Sequence, residues 1–175
     1  MNDGERFLRE AIDSVRRAVA DRNWIAALAV ALTLPDICGK VEEPDEKSGE
    51  RYARWFDAWL GSQFDISGVA PDRDIRLTGR DCYALRCAFL HEGRDIITGQ
   101  KAQEILDGFI FVHPPEWGVA HLNAFDSKLQ LQVDAFCLAF CDAVERWLEA
   151  NSKNERILMG LGEHARIWHI NPPIL

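Results

Sequence analysis

The sequence lacks a hydrophobic run long enough to cross a membrane. Its longest uninterrupted apolar stretch, 24–32, has nine residues, whereas a spanning helix needs roughly 20. The first residues include Asp3, Glu5 and Glu10, where a secretory signal would carry basic residues and then an apolar segment. We therefore expect a cytoplasmic protein with no membrane partner.

The sequence is also poor in motifs for metals and cofactors. It contains neither a CxxC pair nor a glycine-rich phosphate loop. Its cysteines are odd in number, which favours reduced, core-filling thiols over disulfides: Cys38, Cys82, Cys87, Cys137 and Cys141. The last two share a helix face, but no histidine lies at ligand spacing from them. We expect no metal and no cofactor.

Positive charge is scarce except in one stretch. The net charge is -8, so an acidic surface should repel phosphate, and broad electrostatic binding of nucleic acid is not expected. The stretch 73–101 carries a charge of +2, with six basic and four acidic residues, which leaves -10 for the rest. Its basic residues are Arg73, Arg76, Arg80, Arg86, Arg94 and Lys101. We expect any anion site to lie there.

The chain has 175 residues and is 47% hydrophobic, which suits a single domain over 1–175. Apolar residues at helical spacing predict helices over 5–21, 24–34, 48–60, 79–92, 95–106 and 135–150. Pro35 is expected to end the second of these helices. The core helices should therefore lie within about 5–92 and 135–150.

Strand patterns appear only late in the chain. Two candidate strands cover residues 109–113 and 119–123. A third strand is indicated where apolar residues alternate with polar ones, at Leu129, Leu131 and Val133. These strands predict a small antiparallel β-meander over about 108–133, inserted before the last long helix, with a tail over 151–175. The predicted fold is mainly α, a helical bundle with that meander, and so α+β.

The helix 79–92 has clear start and stop signals and one anomalous residue. Thr78 and Asp81 fit a capping box, and Gly93 fits a helix stop. The neighbours of Arg86 at helical spacing are largely apolar: Cys82, Tyr83, Phe89 and Leu90. A guanidinium is seldom left in such surroundings without a partner. Either an external anion meets Arg86, or a structural carboxylate does, for which Asp36 is a candidate.

His91 lies in the last turn of the same helix, where the helix dipole favours a protonated imidazole. Arg86 and His91 together combine a fixed positive charge with a proton carrier. Phosphoryl chemistry uses both, because the charge stabilises phosphate oxygens and the imidazole moves protons.

The segment 85–93, Leu-Arg-Cys-Ala-Phe-Leu-His-Glu-Gly, resembles the motif of the HEPN superfamily (higher eukaryotes and prokaryotes nucleotide-binding domains). That motif is an arginine, four to six residues, and a histidine near the end of a bundle helix. The resemblance implies a helical bundle. In many members two chains pair, and the two motifs form a metal-independent ribonuclease site in which the RNA 2′-hydroxyl attacks the adjacent phosphate.

By this resemblance Arg86 would contact the phosphate and His91 would transfer protons. Tyr83, Arg80, Arg94 and Glu92 are predicted to contact substrate near them. The expected partners are a second copy of the chain, RNA or a nucleotide, and an antitoxin or another protein if the enzyme serves a defence or toxin–antitoxin system.

Two other functions stay open. One is a non-catalytic HEPN-like module for nucleotide, RNA or protein binding and dimerisation. It is favoured by the acidic composition and by Cys87, which stands where the family usually has a polar residue. The other is a structural domain in which Arg86 only pairs with a carboxylate of its own chain.

Overall fold

The computed structural model describes residues 3–65 and 76–163. Seven α-helices lie in these ranges: α1 (Asp3–Ala20), α2 (Trp24–Ala31), α3 (Leu34–Glu42), α4 (Ser48–Trp59), α5 (Gly79–Glu92), α6 (Val133–Ala150) and α7 (Glu155–Leu161). Three strands precede α6: β1 (Gly108–Val112), β2 (Asn123–Phe125) and β3 (Lys128–Gln132). The mainly α fold with a small sheet before the last long helix is thus confirmed.

The first two helices lie close to their predicted ranges. The apolar stripe of α1 is buried at Leu8, Ile12 and Val15, and α1 packs against both α2 and α6. The side chain of Asn23 caps α2 by accepting a hydrogen bond from the Ala26 amide. The boundary between α1 and α2 is therefore determined by local sequence.

The prediction that Pro35 ends a helix is wrong, because Pro35 lies in the first turn of α3. Proline fits there, since the first helical N–H groups have no intrahelical acceptor and a fixed φ suits the helix start. The break occurs earlier, after Ala31, and α3 then runs through Cys38 and Lys40. This correction places Asp36 in the first turn of α3.

Among the described residues, one helical stretch, Trp24–Glu42, is long and apolar enough to cross a membrane by length and composition alone. Half of it is buried inside the fold, and buried core helices meet the same criterion. The stretch comprises α2 and α3, which contact α1, α4 and α6. Packing within the core therefore accounts for its composition.

The sheet differs from the predicted antiparallel meander. Its strand order is β1-β3-β2, and β1 pairs with β3 in parallel, whereas β2 pairs with β3 antiparallel. The sheet is therefore mixed, and the prediction of a wholly antiparallel meander is wrong. The 15 residues between β1 and β3 carry β2 and allow the chain to return for a parallel pairing, which hairpin turns would not.

The predicted helix over 95–106 is absent from the described chain, which forms turns there. The cause is Asp81 at the start of α5, which is fully buried. Its carboxylate accepts hydrogen bonds from the amides of Glu104, Ile105 and Leu106 at 2.7 to 3.3 Å. Ile96 also forms a bridge with Gly108 beside β1. These long-range contacts replace the helical hydrogen bonds that local sequence favoured.

The chain after Asn151 is not entirely a tail. Asn154 caps α7 by accepting from the Ile157 amide, and α7 packs on α1 and α3. Ile157 and Leu161 are buried and belong to the same hydrophobic cluster as the other helices. The predicted Asn171-Pro172-Pro173 end lies outside the described residues, as do Arg73 and Asp74.

Candidate functional site

The helix α5 is placed by the local signals that the sequence predicted. The Thr78 hydroxyl accepts a hydrogen bond from the Asp81 amide, and Gly93 ends the helix in the left-handed conformation with φ of 66°. A Cβ at Gly79 would lie 2.2 Å from the carbonyl oxygen of Ala53, so only glycine allows α5 to approach α4 so closely. The C-terminal turn of α5, with His91, is left at the surface.

Arg86 meets both an internal carboxylate and His91. Its Nη2 donates to Oδ2 of Asp36 at 3.1 Å, and its Nη1 lies 3.3 Å from Nε2 of His91. The Arg86 side chain is 20% exposed. The predicted alternative of a pairing with Asp36 is therefore confirmed, and the arginine and the imidazole are also brought together.

A guanidinium can only donate, so the contact is a hydrogen bond in the imidazole tautomer that accepts at Nε2 and carries its proton on Nδ1. A ring nitrogen that accepts is also the kind of group that a general base requires.

Asp36 also binds a second arginine, which the sequence did not indicate. Nη2 of Arg51 on α4 donates to Oδ1 of Asp36 at 3.2 Å, and Nη1 of Arg51 donates to the Glu46 carbonyl at 2.9 Å. Arg51 is 16% exposed. The site therefore contains an unbroken chain of contacts from Arg51 through Asp36 and Arg86 to His91.

Asp36, Arg51 and Arg86 border an open cavity of about 460 Å³ whose lining comes mainly from α3, with residues from α1, α4 and α5. His91 lies outside this lining. Its charged lining consists of Asp36, Lys40, Arg51, Arg86 and Glu163, and its apolar lining includes Phe7 and Ile37. Three cations thus face two carboxylates in a protein whose overall charge is -8. The cavity offers a positively charged surface next to an apolar one.

The other predicted site residues lie elsewhere. Tyr83 is half-buried and its hydroxyl is 3.0 Å from the Ser48 hydroxyl. Arg80 is exposed and borders a different cavity, of about 350 Å³, together with Asp57 and Glu104. The structure therefore separates Arg80 and Tyr83 from the lining of the cavity that contains Arg86.

Arg94 and Glu92 lie just beyond His91 and bind each other. Nη1 of Arg94 is 3.5 Å from Oε2 of Glu92, in a pair that is largely exposed. Glu92 also accepts from the Gln100 side chain at 3.0 Å. Both residues are near the exposed end of α5, but their ion pair and hydrogen bond are to each other and to Gln100 rather than to Arg86 or His91.

In residues 3–65 and 76–163, no group of three or more histidines, cysteines and acidic residues could hold a metal ion. Cys137 and Cys141 are both buried. Burial raises the pKa of the Cys137 thiol and raises the pKa of Cys141 to about 12. Thiols with raised pKa values are poor metal ligands and poor nucleophiles.

Comparisons with protein-family models, with curated proteins and with solved structures found no match to this chain. A function for it is therefore inferred from its own residues and their arrangement.

Proposed function

We propose that the protein is a metal-independent endoribonuclease of HEPN type that acts as a homodimer. The observation that carries this proposal is the 3.3 Å contact between Nη1 of Arg86 and Nε2 of His91 at the exposed end of α5. The contact places an imidazole next to a permanent cation, and that cation borders an open cavity. Both groups needed to cleave an RNA phosphodiester without a metal are thus adjacent.

In the proposed reaction the RNA 2′-hydroxyl attacks the adjacent phosphorus. Nη1 of Arg86 turns from Nε2 of His91 to a phosphate oxygen, and Nε2 then takes the hydroxyl proton. The bond between O2′ and phosphorus forms as the bond from phosphorus to the 5′-oxygen breaks. Arg86 stabilises the negative charge that develops on the phosphate oxygens. The products are a 2′,3′-cyclic phosphate and a 5′-hydroxyl, and the departing 5′-oxygen needs one proton.

Dimerisation would supply the acid. Each chain contributes one imidazole, so two copies that face each other place a neutral imidazole as base on one side of the phosphate and a protonated imidazole, which gives its proton to the 5′-oxygen, on the other. His91 is exposed, which leaves it accessible to a second chain. The cytoplasmic location and the defence or toxin–antitoxin setting stay predictions.

The direct test is incubation of the protein with single-stranded RNA in EDTA, followed by analysis of the product ends. The wild type should leave 2′,3′-cyclic phosphate ends, and Arg86→Ala should slow cleavage by about 100-fold or more. His113→Ala is a matched control, because His113 is an exposed histidine near β1 and its loss should leave the rate unchanged. Cleavage that needs a divalent metal, or that persists in Arg86→Ala, would refute the proposal.

A second candidate function is a non-catalytic module that binds RNA or a nucleotide. It is favoured by the pairing of Arg86 with Asp36, since a carboxylate already holds the cation that would contact phosphate, and by the half-buried Cys87 next to it. This function predicts that the melting temperature of the protein rises as more RNA is bound, while the RNA itself stays intact. Turnover in EDTA would exclude it.

A further inference from the structure

We propose that Arg51 and Lys40 form, with Arg86, a second phosphate subsite in the cavity, and that Asp36 keeps this subsite closed until phosphate displaces it. The ligand would be a phosphate group of the RNA strand that flanks the one being cleaved. This inference rests on the proposed function, because Arg86 belongs to both sites. It adds Arg51 and Lys40, which lie on α4 and α3.

The geometry around Asp36 is that of a bound oxyanion. One carboxylate oxygen accepts from Arg51 at 3.2 Å and the other accepts from Arg86 at 3.1 Å. Arginine binds carboxylate and phosphate through the same planar set of donors. Two guanidinium groups that converge on two oxygens of Asp36 can therefore converge on two oxygens of a phosphate.

The two guanidinium groups also have donors left to use. Nε of Arg51 and Nε of Arg86 are both buried and have no hydrogen-bond acceptor in the described part of the chain. An unpaired buried donor is unfavourable. Phosphate offers more acceptor positions than a carboxylate, so a shift of either side chain towards phosphate can satisfy donors that Asp36 leaves unpaired.

Lys40 and the cavity walls extend the subsite beyond Asp36. Lys40 borders the same cavity, and its Nζ donates to the Pro44 carbonyl at 2.5 Å. A lysine ammonium has three rotatable donors on a flexible stem, so it can reorient to an anion. Ile37 forms part of the apolar wall, which provides a surface for the sugar or base attached to the phosphate.

The competition between Asp36 and phosphate predicts that removal of the Asp36 charge strengthens phosphate binding. Removal of the charge in Asp36→Asn should strengthen binding of inorganic phosphate by about tenfold, since the competing anion is lost while the cations remain. Arg51→Met should weaken binding by about tenfold or more. Arg54→Met is the matched control, because Arg54 lies on the same helix, is 46% exposed and pairs with Glu43 and Glu46.

The experiment is a calorimetric titration of each folded variant with inorganic phosphate at constant ionic strength, with chloride as the balancing anion. Phosphate affinity should rise in Asp36→Asn, fall in Arg51→Met and stay unchanged in Arg54→Met. Arg51→Lys replaces Arg51→Met if the latter fails to fold, and a weaker affinity is again expected because the paired donors are lost. Equal affinity in wild type and either Arg51 variant, or weaker binding in Asp36→Asn, would overturn the inference.

The outcomes separate this inference from the proposed function. RNA cleavage in EDTA without Arg51-dependent phosphate binding would leave the ribonuclease intact and remove the subsite. Arg51-dependent phosphate binding without RNA cleavage would keep the subsite and remove the ribonuclease.

Discussion

Asp81, a residue of α5, and Asp36, which contacts α5 from α3, are carboxylates that differ in their partners. Asp81, at the N-terminal end, is fully buried and accepts from the backbone amides of Glu104, Ile105 and Leu106. Asp36 approaches the helix nearer its other end, is 19% exposed, and accepts from two arginine side chains. One carboxylate is bound by the main chain and the other by arginine side chains beside a cavity.

This difference separates a structural role from a binding role. Backbone amides cannot leave Asp81 without unfolding the segment that carries them, so Asp81 fixes the turns after α5. Side-chain guanidinium groups can exchange Asp36 for another anion without moving the helices. Burial raises the pKa of Asp81, and the backbone hydrogen bonds oppose that rise, so even its ionisation is coupled to the fold.

The largest expected effect is on stability, from Asp81→Ala. Loss of the carboxylate leaves the amides of 104–106 without acceptors, and we expect the free energy of unfolding in urea to fall by about 3 kcal/mol or more. Asp45→Ala, at an exposed loop position, should change stability by less than about 0.5 kcal/mol. Similar stabilities for the two variants would contradict the structural role of Asp81.

A smaller effect is expected at Asp36. Asp36→Ala leaves two partly exposed guanidinium groups unpaired and should cost about 1–2 kcal/mol, below the cost for a fully buried pair because solvent screens the charges. The double variant Asp36→Ala, Arg86→Met should be more stable than the sum of the two single effects predicts. We expect a coupling energy of about 1 kcal/mol, measured by urea unfolding. Strictly additive effects would show that the pair is not formed in solution.

The smallest effect is expected at an ion pair between α1 and α6, away from the cavity that contains Arg86. Arg16 on α1 donates two hydrogen bonds to Glu145 on α6, at 2.8 and 2.7 Å, which lowers the pKa of Glu145. Because the pKa of Glu145 is lower in the folded state, the ion pair stabilises the fold at pH values above the unfolded-state pKa of about 4.5. This contribution is lost as the pH falls through the folded-state pKa. Glu145→Gln should therefore cost about 0.5 kcal/mol at pH 7 and progressively less in acid. A cost that does not change between pH 7 and pH 3 would exclude this assignment.

Signals confined to a few residues were predictable from the sequence. The caps at Thr78 and Asn23 and the stop at Gly93 each depend on one residue and its neighbours. The charge of Arg86 among apolar neighbours likewise indicated an anionic partner, and Asp36 was one of the candidates. These features depend on local spacing, which a single sequence records.

Features that depend on distant chain segments were not predictable. The parallel pairing of β1 with β3 depends on how 15 intervening residues cross over, and the turns over 95–106 depend on Asp81. Arg51 reaches Asp36 only because α3 and α4 pack together. Strand periodicity and helical spacing contain no information about such pairings, so the second arginine was missed.

The most direct test of the account is the rate of single-stranded RNA cleavage in EDTA by His91→Ala, measured alongside its melting temperature. Because the side chain of His91 is exposed, the melting temperature should stay close to that of the wild type. The cleavage rate should fall by about 100-fold or more, since the proton acceptor is lost. A rate equal to that of the wild type would contradict the claim that the exposed end of α5 performs phosphoryl chemistry.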